Sequence, residues 1–155
     1  MQTTVSEAVL TGTVRAYPGC RMHFRKSSED TNNSVAVVDI ISTPGAEPPR
    51  HVHQFEDELI LVKKGEAIFY IGDEIIAAKP GDVLFMPRGV PHHFKILSEK
   101  ALISLVLTPG GFERFFEAIT KPYDGDTAPP LEGEPTTEEI SYFVAVSESF
   151  GVTFV

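Results

Sequence analysis

The chain has 155 residues, 42% hydrophobic and 23% charged, which fits one globular domain and excludes a disordered or fibrous protein. Its formal charge of -9, from 13 basic and 22 acidic residues, argues against sequence-independent nucleic-acid binding, because neutralising phosphates needs a basic surface. No apolar run approaches the roughly 20 residues of a membrane helix, and the N-terminus lacks the basic flank and apolar stretch of a secretory leader. With Cys20 as its only cysteine the chain forms no internal disulfide, so the cytoplasm is the expected compartment.

Val9 to Ala16 reads as a first strand, and as an edge it invites pairing with a second copy, so a homodimer is expected. Short β-rich runs follow: Arg21 to Ser27, Val35 to Ser42, Leu59 to Lys63, Ala67 to Ile71, Ile75 to Ala78, Val83 to Met86, Phe94 to Leu97 and Ala101 to Leu107. They are cut by Thr43-Pro44-Gly45, Lys64-Gly65, Pro80-Gly81 and Pro87-Arg88-Gly89, the rhythm of a sandwich or barrel. Gly72-Asp73 between two of the runs predicts a two-residue hairpin of type II′, with Gly72 supplying the positive φ.

After Pro109-Gly110-Gly111 the pattern changes to helical. Phe112, Phe115, Phe116 and Ile119 recur at i, i+3, i+4 and i+7, which predicts a short helix with one apolar face. Residues 121–135 hold four prolines, two glycines and four acids and read as an exposed connection. Thr136 with Glu139 predicts a capping box, and Ile140, Phe143, Val144 and Phe150 an apolar stripe opposite Glu138, Ser141, Ala145 and Glu148. Gly151 is placed to end that second helix, with a final strand over Val152 to Val155. The predicted organisation is an all-β unit over residues 1–111, and over 112–155 a helical extension and final strand packed on the same domain. That extension is acidic: Glu113, Glu117, Asp124, Asp126, Glu132, Glu134, Glu138, Glu139 and Glu148 against Arg114 and Lys121 give it -7 of the -9, read as a solvated face.

Four of the five histidines fall in two pairs, His51/His53 and His92/His93. Side chains at i and i+2 of a strand share a face, so His51 and His53 can point into one interior and share a metal ion, or stand together on a surface. The surrounding spacing is informative. Gly45, five residues, His51, one, His53, four, Glu58, six, Gly65 is followed by Gly81, five, Pro87, one, Gly89, two, His92. These two segments resemble the paired motifs of the cupin superfamily; Ile96 stands where the second motif often ends in Asn. The resemblance implies a small antiparallel β-barrel, a double-stranded β-helix jelly roll, with His51, His53, Glu58 and His92 converging on a divalent transition metal (Fe, Ni, Mn, Co, Cu or Zn). His93 is then structural or exposed, and Glu56 and Asp57 are loop carboxylates with at most a supporting role.

The order of elements looks like single-domain bacterial cupins of the quercetin-dioxygenase-like group. That likeness implies a metal-dependent dioxygenase in which Glu58 takes a proton from a small aromatic, flavonol-like or diketone-like substrate chelated to the metal, with dioxygen as a possible second substrate. Two alternatives are a non-oxidative isomerase, lyase or cyclase using the metal as Lewis acid, and a small-molecule-binding module without catalysis. Phe55, Ile60, Phe69, Phe85, Phe94, Ile103 and Leu105 are candidates to line the pocket. Arg88 is a candidate contact for an anionic substrate, and Tyr70 and His23 are candidate hydrogen-bond donors to a ligand.

Overall fold

A computed structural model describes residues 10–155. The strands are β1 (Val14–Tyr17), β2 (Cys20–Lys26), β3 (Ala36–Ser42), β4 (His51–His53), β5 (Asp57–Lys64), β6 (Ala67–Ile71), β7 (Glu74–Ala78), β8 (Val83–Met86), β9 (His92–Ile96), β10 (Ala101–Thr108), β11 (Lys121–Pro122) and β12 (Val152–Phe154). The helices are α1 (Glu113–Ile119) and α2 (Thr137–Ser149), with a 3-10 turn at Ser28–Thr31. Two antiparallel sheets result, ordered β11-β1-β2-β3-β10-β5-β8 and β12-β4-β9-β6-β7. They face each other as a jelly roll rather than closing into one hydrogen-bonded ring, and the all-β class predicted from the sequence stands.

Strand alternation builds the interior. Cys20, Met22 and Phe24 of β2, Ala36, Val38 and Ile40 of β3, and Ile103, Leu105 and Leu107 of β10 are buried, with the residues between them on the opposite face, where only Ser104 is also buried. Ile60, Phe69, Ile103 and Leu105 take the interior positions expected of them, and Phe94 stacks on Phe69 at 5.2 Å between ring centroids. Phe85 does not. Its strand buries Leu84 and Met86, so Phe85 faces outward at 53% exposure beside Leu59, its partner in register, and exposed Val83. The Gly72-Asp73 hairpin forms with Gly72 at φ +57°, joining Ile71 to Glu74.

The extension is tied into both sheets. Lys121 and Pro122 of β11 pair with Ala16 and Arg15, so β1 has partners within its own chain on both edges, β2 and β11. Over Arg15 and Ala16 this corrects the expectation that Val9 to Ala16 lies against a second copy; Val9 itself is outside the described residues. The capping box of Thr136 and Glu139 forms at the start of α2, and Gly151 follows its last turn at φ +77°. The buried face of α2 is shifted from the predicted stripe: Ile140 is 49% exposed, whereas Phe143, Val146, Ser147 and Phe150 turn inward. Ser147 satisfies its hydroxyl locally, donating to the Phe143 carbonyl at 2.7 Å, which lets a polar residue occupy that face. Among the described residues no helix is long and apolar enough to cross a membrane.

One buried acid joins the extension to the sheets. Glu113 is fully buried and accepts the Ser28 N–H at 2.5 Å and the Gly111 N–H at 2.6 Å. Glu113→Ala leaves both donors without that partner and is expected to cost about 2–3 kcal/mol, read as a lowered urea midpoint. A second expectation concerns Cys20, 1% exposed, whose thiol burial pushes up to about 12. It should resist alkylation in the folded protein and react on unfolding, as mass spectrometry with and without denaturant would show.

Candidate metal centre

β4 presents His51 and His53 on its inner face with Val52 between them turned away. β5 buries Glu58, Ile60 and Val62 in alternation, and β9 buries His92 opposite His51. The four side chains are 2–7% exposed, and one ligand atom from each lies within 4.8 Å of all the others. The structure thus brings together all four residues singled out from the sequence spacing.

Each imidazole is tethered on the side away from this meeting point. His51 Nδ1 lies 2.6 Å from the Pro49 carbonyl and His92 Nδ1 3.1 Å from the Val90 carbonyl, while His53 Nδ1 bonds the Glu56 carboxylate. Carbonyl and carboxylate oxygens only accept, so each Nδ1 carries a proton and donates, and in each neutral ring the Nε2 lone pair faces inward. His51 Nε2 and His53 Nε2 then stand 3.1 Å apart. Glu58 adds its carboxylate 3.5 Å from His53 Nε2 and 2.9 Å from His92 Nε2, yet out of line for a hydrogen bond, so His92 Nε2 is buried without a partner. Converging lone pairs and an orphaned buried nitrogen are a donor set that a divalent ion satisfies, and the cluster fits such an ion.

The electrostatics agree. Burial, with His92 and His53 alongside, lowers the His51 pKa to about 4 and keeps that ring neutral. Burial pushes His53 the same way, but the Glu56 hydrogen bond and the charges of Glu58 and Glu56 carry it above its ordinary value. Burial alone would raise Glu58; the three imidazoles outweigh it and hold the carboxyl below its usual range.

Glu56 is therefore more than a loop carboxylate: at 4% exposure it orients His53. The sequence signal for it is an acid three residues after a candidate ligand, across the short bend at Gln54-Phe55. Asp57 points the other way. It accepts the Arg88 backbone N–H at 2.8 Å and both arms of the Arg88 guanidinium at 3.1 Å, so Arg88 staples a turn instead of greeting a substrate. His93 and Tyr70 stack on each other at 4.5 Å, half-buried on the outer side of β9 and β6, and His23 faces outward from β2. Neither Tyr70 nor His23 reaches the centre.

The surroundings are apolar and aromatic. In register Glu58 stands between Met86 and Leu107, and Ile71 stands opposite His92. Phe112 meets the His53 ring edge-on at 4.5 Å, and Phe154 lies 6.3 Å from His51. Beside Glu56 a cleft of about 260 Å³ opens between Phe55, Phe112 and Phe150, with Phe55 53% exposed at its rim. None of the 13 Lys and Arg side chains is buried.

Residues 39–108 match the cupin domain family. The chain is 27% identical over 116 residues to quercetin 2,3-dioxygenase of Bacillus subtilis, a match covering 74% of this chain and 34% of that protein, so it spans about a third of the relative's length. It also resembles a solved variant of Bacillus subtilis oxalate decarboxylase, with 28% identity and a TM-score of 0.57, covering 72% of this chain and 32% of that one. An RmlC-like cupin from Shewanella frigidimarina shares the fold at 21% identity and a TM-score of 0.57, covering 70% and 96% of the two chains.

Two expectations follow from the geometry. Glu56→Gln, which trades a carboxylate acceptor for an amide against His53 Nδ1, should weaken divalent-metal binding roughly 10–100-fold in calorimetric titration. The metal-free protein should be most stable near pH 6.5. His51, lowered to about 4, loses its stabilising contribution as pH falls below 6.5, whereas the contribution of His53, raised, is complete below 6.5 and is lost as pH rises through its folded value. Denaturant midpoints of chelator-treated protein between pH 5 and 8 check this; a midpoint rising steadily across the range would contradict it.

Proposed function

We propose, from the premise that the chain belongs to the cupin superfamily, that it is a metal-dependent enzyme with His51, His53, Glu58 and His92 as ligands. Its reaction, in this reading, is dioxygenation of a small aromatic, flavonol-like or diketone-like molecule. The observation that carries the reading is the convergence of three Nε2 atoms and one carboxylate inside an apolar jelly roll. A divalent transition metal held there supplies Lewis acidity and, for a redox-active ion, an electron path to dioxygen.

The chain's own residues supply the rest. Glu58, held below the usual carboxyl range, is ionised at neutral pH and accepts the enol or phenol proton of an arriving substrate through its carboxylate. Met86, Leu107 and Ile71 flank the ligands and limit water around that carboxylate. With every Lys and Arg outside the core and Arg88 closed on Asp57, the interior offers no Lys or Arg to a dianion. That favours a substrate with an apolar body and at most one negative charge.

A second reading, a non-oxidative lyase, isomerase or cyclase, is favoured by the 28% identity to oxalate decarboxylase. Oxygen dependence separates the two. Protein loaded in turn with Fe, Ni, Mn, Co or Cu should consume oxygen with a flavonol or 1,3-diketone panel; turnover that persists without oxygen moves the assignment to the second reading. Glu58→Gln should lower kcat about 100-fold or more at saturating metal. We also place the protein in the cytoplasm as a homodimer joined at the outer face of β5 and β8, where Leu59, Leu61, Val83 and Phe85 lie together. The bordering acids are paired, Asp57 with Arg88 and Asp39 with both Lys63 and Arg25, so they do not repel a second acidic chain there. Sedimentation of wild type should give twice the chain mass, and Phe85→Glu the monomer.

A further inference from the structure

The strand that carries two of the four ligands is only three residues long, and three-residue strands do not hold themselves in place. Toward β9 it makes a single register pair, His51 with His92, supplemented by the Gly89 N–H on the His53 carbonyl at 2.8 Å. Its other edge is covered along its whole length by β12: Val152 pairs with His53, Thr153 with Val52 and Phe154 with His51. The ladder runs on at both ends, through the Gln54 N–H on the Gly151 carbonyl at 3.0 Å and the Val155 N–H on the Arg50 carbonyl at 3.1 Å.

Local conformation aims β12 at this edge. Gly151 at φ +77° turns α2 directly into β12, and a Cβ at that position would meet the Phe55 ring at 2.5 Å, so the junction also seats the loop between His53 and Glu58. The cupin match ends at residue 108, well before this strand.

We infer that β12 is a positioning element of the metal centre, holding His51 and His53 in register with His92 and Glu58. The inference rests on the assignment of those four residues as ligands. Aligned ligands bind an ion more tightly because the chain need not be ordered when the ion arrives. An undocked β12 leaves β4 with one register pair and loosens both imidazoles together.

The test uses the full chain and Co²⁺ as the probe. Hydrogen-bonded pairs alternate along an antiparallel ladder, so the Val52–Thr153 pair, between two bonded ones, exchanges backbone bonds. Thr153 is exposed, and Thr153→Pro therefore removes an N–H facing β4 and no packed side chain; Thr153→Val keeps the N–H and serves as control. Wild type should bind one Co²⁺ and His92→Ala should lose it. Thr153→Pro should bind about 10–100-fold more weakly with an altered visible absorption spectrum, and Thr153→Val should match wild type in both. Thr153→Pro with wild-type affinity and spectrum overturns the inference while leaving the ligand assignment intact. Wild type that binds no Co²⁺ overturns the ligand assignment and this inference with it. If Thr153→Pro does not fold, Val155→Pro, which removes from an exposed residue the N–H that β12's end donates to the Arg50 carbonyl, should give the same weakening and spectral change, and an unchanged result overturns the inference.

Discussion

Two imidazole nitrogens 3.1 Å apart, with both Nδ1 protons drawn away from the contact, need a proton or a metal ion between them to be a stable arrangement in a protein interior. Most of the molecule is organised around that constraint. The Nδ1 protons are drawn outward by the Pro49 carbonyl, the Val90 carbonyl and the Glu56 carboxylate, so no ring can rotate its lone pair away without losing a buried hydrogen bond. Glu58 brings the negative charge that a divalent ion would partly offset. Without the ion, the Glu56 hydrogen bond and the Glu58 charge outweigh burial and shift His53 up, while the three imidazoles shift Glu58 down.

Much of this was legible in the sequence because the barrel's periodicity is short and strict. A two-residue alternation tells which histidine faces in: His51 and His53 share a face, and His92 is inward while its neighbour His93 stacks outward on Tyr70. The same alternation turned Phe85 out against expectation. The run Val83 to Met86 is apolar at every position, so hydrophobicity alone could not choose between the pair Leu84/Met86 and the pair Val83/Phe85; register with Glu58 and Ile60 on β5 does. Arg88 and Glu56 escaped for another reason. Their partners, Asp57 and His53, lie 31 and 3 residues away, and both contacts are made by loops whose paths no periodicity describes.

The extension shows the limit most clearly. Its helices announce themselves through aromatic spacing and a capping box, but nothing in residues 112–155 says where they dock. Phe112 reaches His53, Phe154 comes within 6.3 Å of His51, and β12 lies on β4. These are long-range contacts, and their specificity lies in shape rather than in any motif. The segment with most of the chain's negative charge therefore places its apolar residues nearest the centre and turns its acids to solvent, with buried Glu113 the exception.

That distribution of charge also constrains the chemistry. A centre made of three neutral imidazoles and one carboxylate leaves a divalent ion with a net positive charge, and an apolar wall screens it poorly, so an anionic oxygen is strongly attracted from short range. The acidic exterior works against polyanions at long range, where salt weakens it. Between these two fields the ligand that the proposed reading favours carries little net charge until it meets Glu58. In the proposed reading a neutral enol or phenol fits that description: it would approach without repulsion, lose its proton to the carboxylate, and only then present the negative oxygen that the centre attracts. Small carboxylate dianions meet the opposite sequence, repelled outside and finding no Lys or Arg within. The same four donors could serve either reaction class, and it is the placement of the Lys and Arg side chains, away from the core, that tilts the balance.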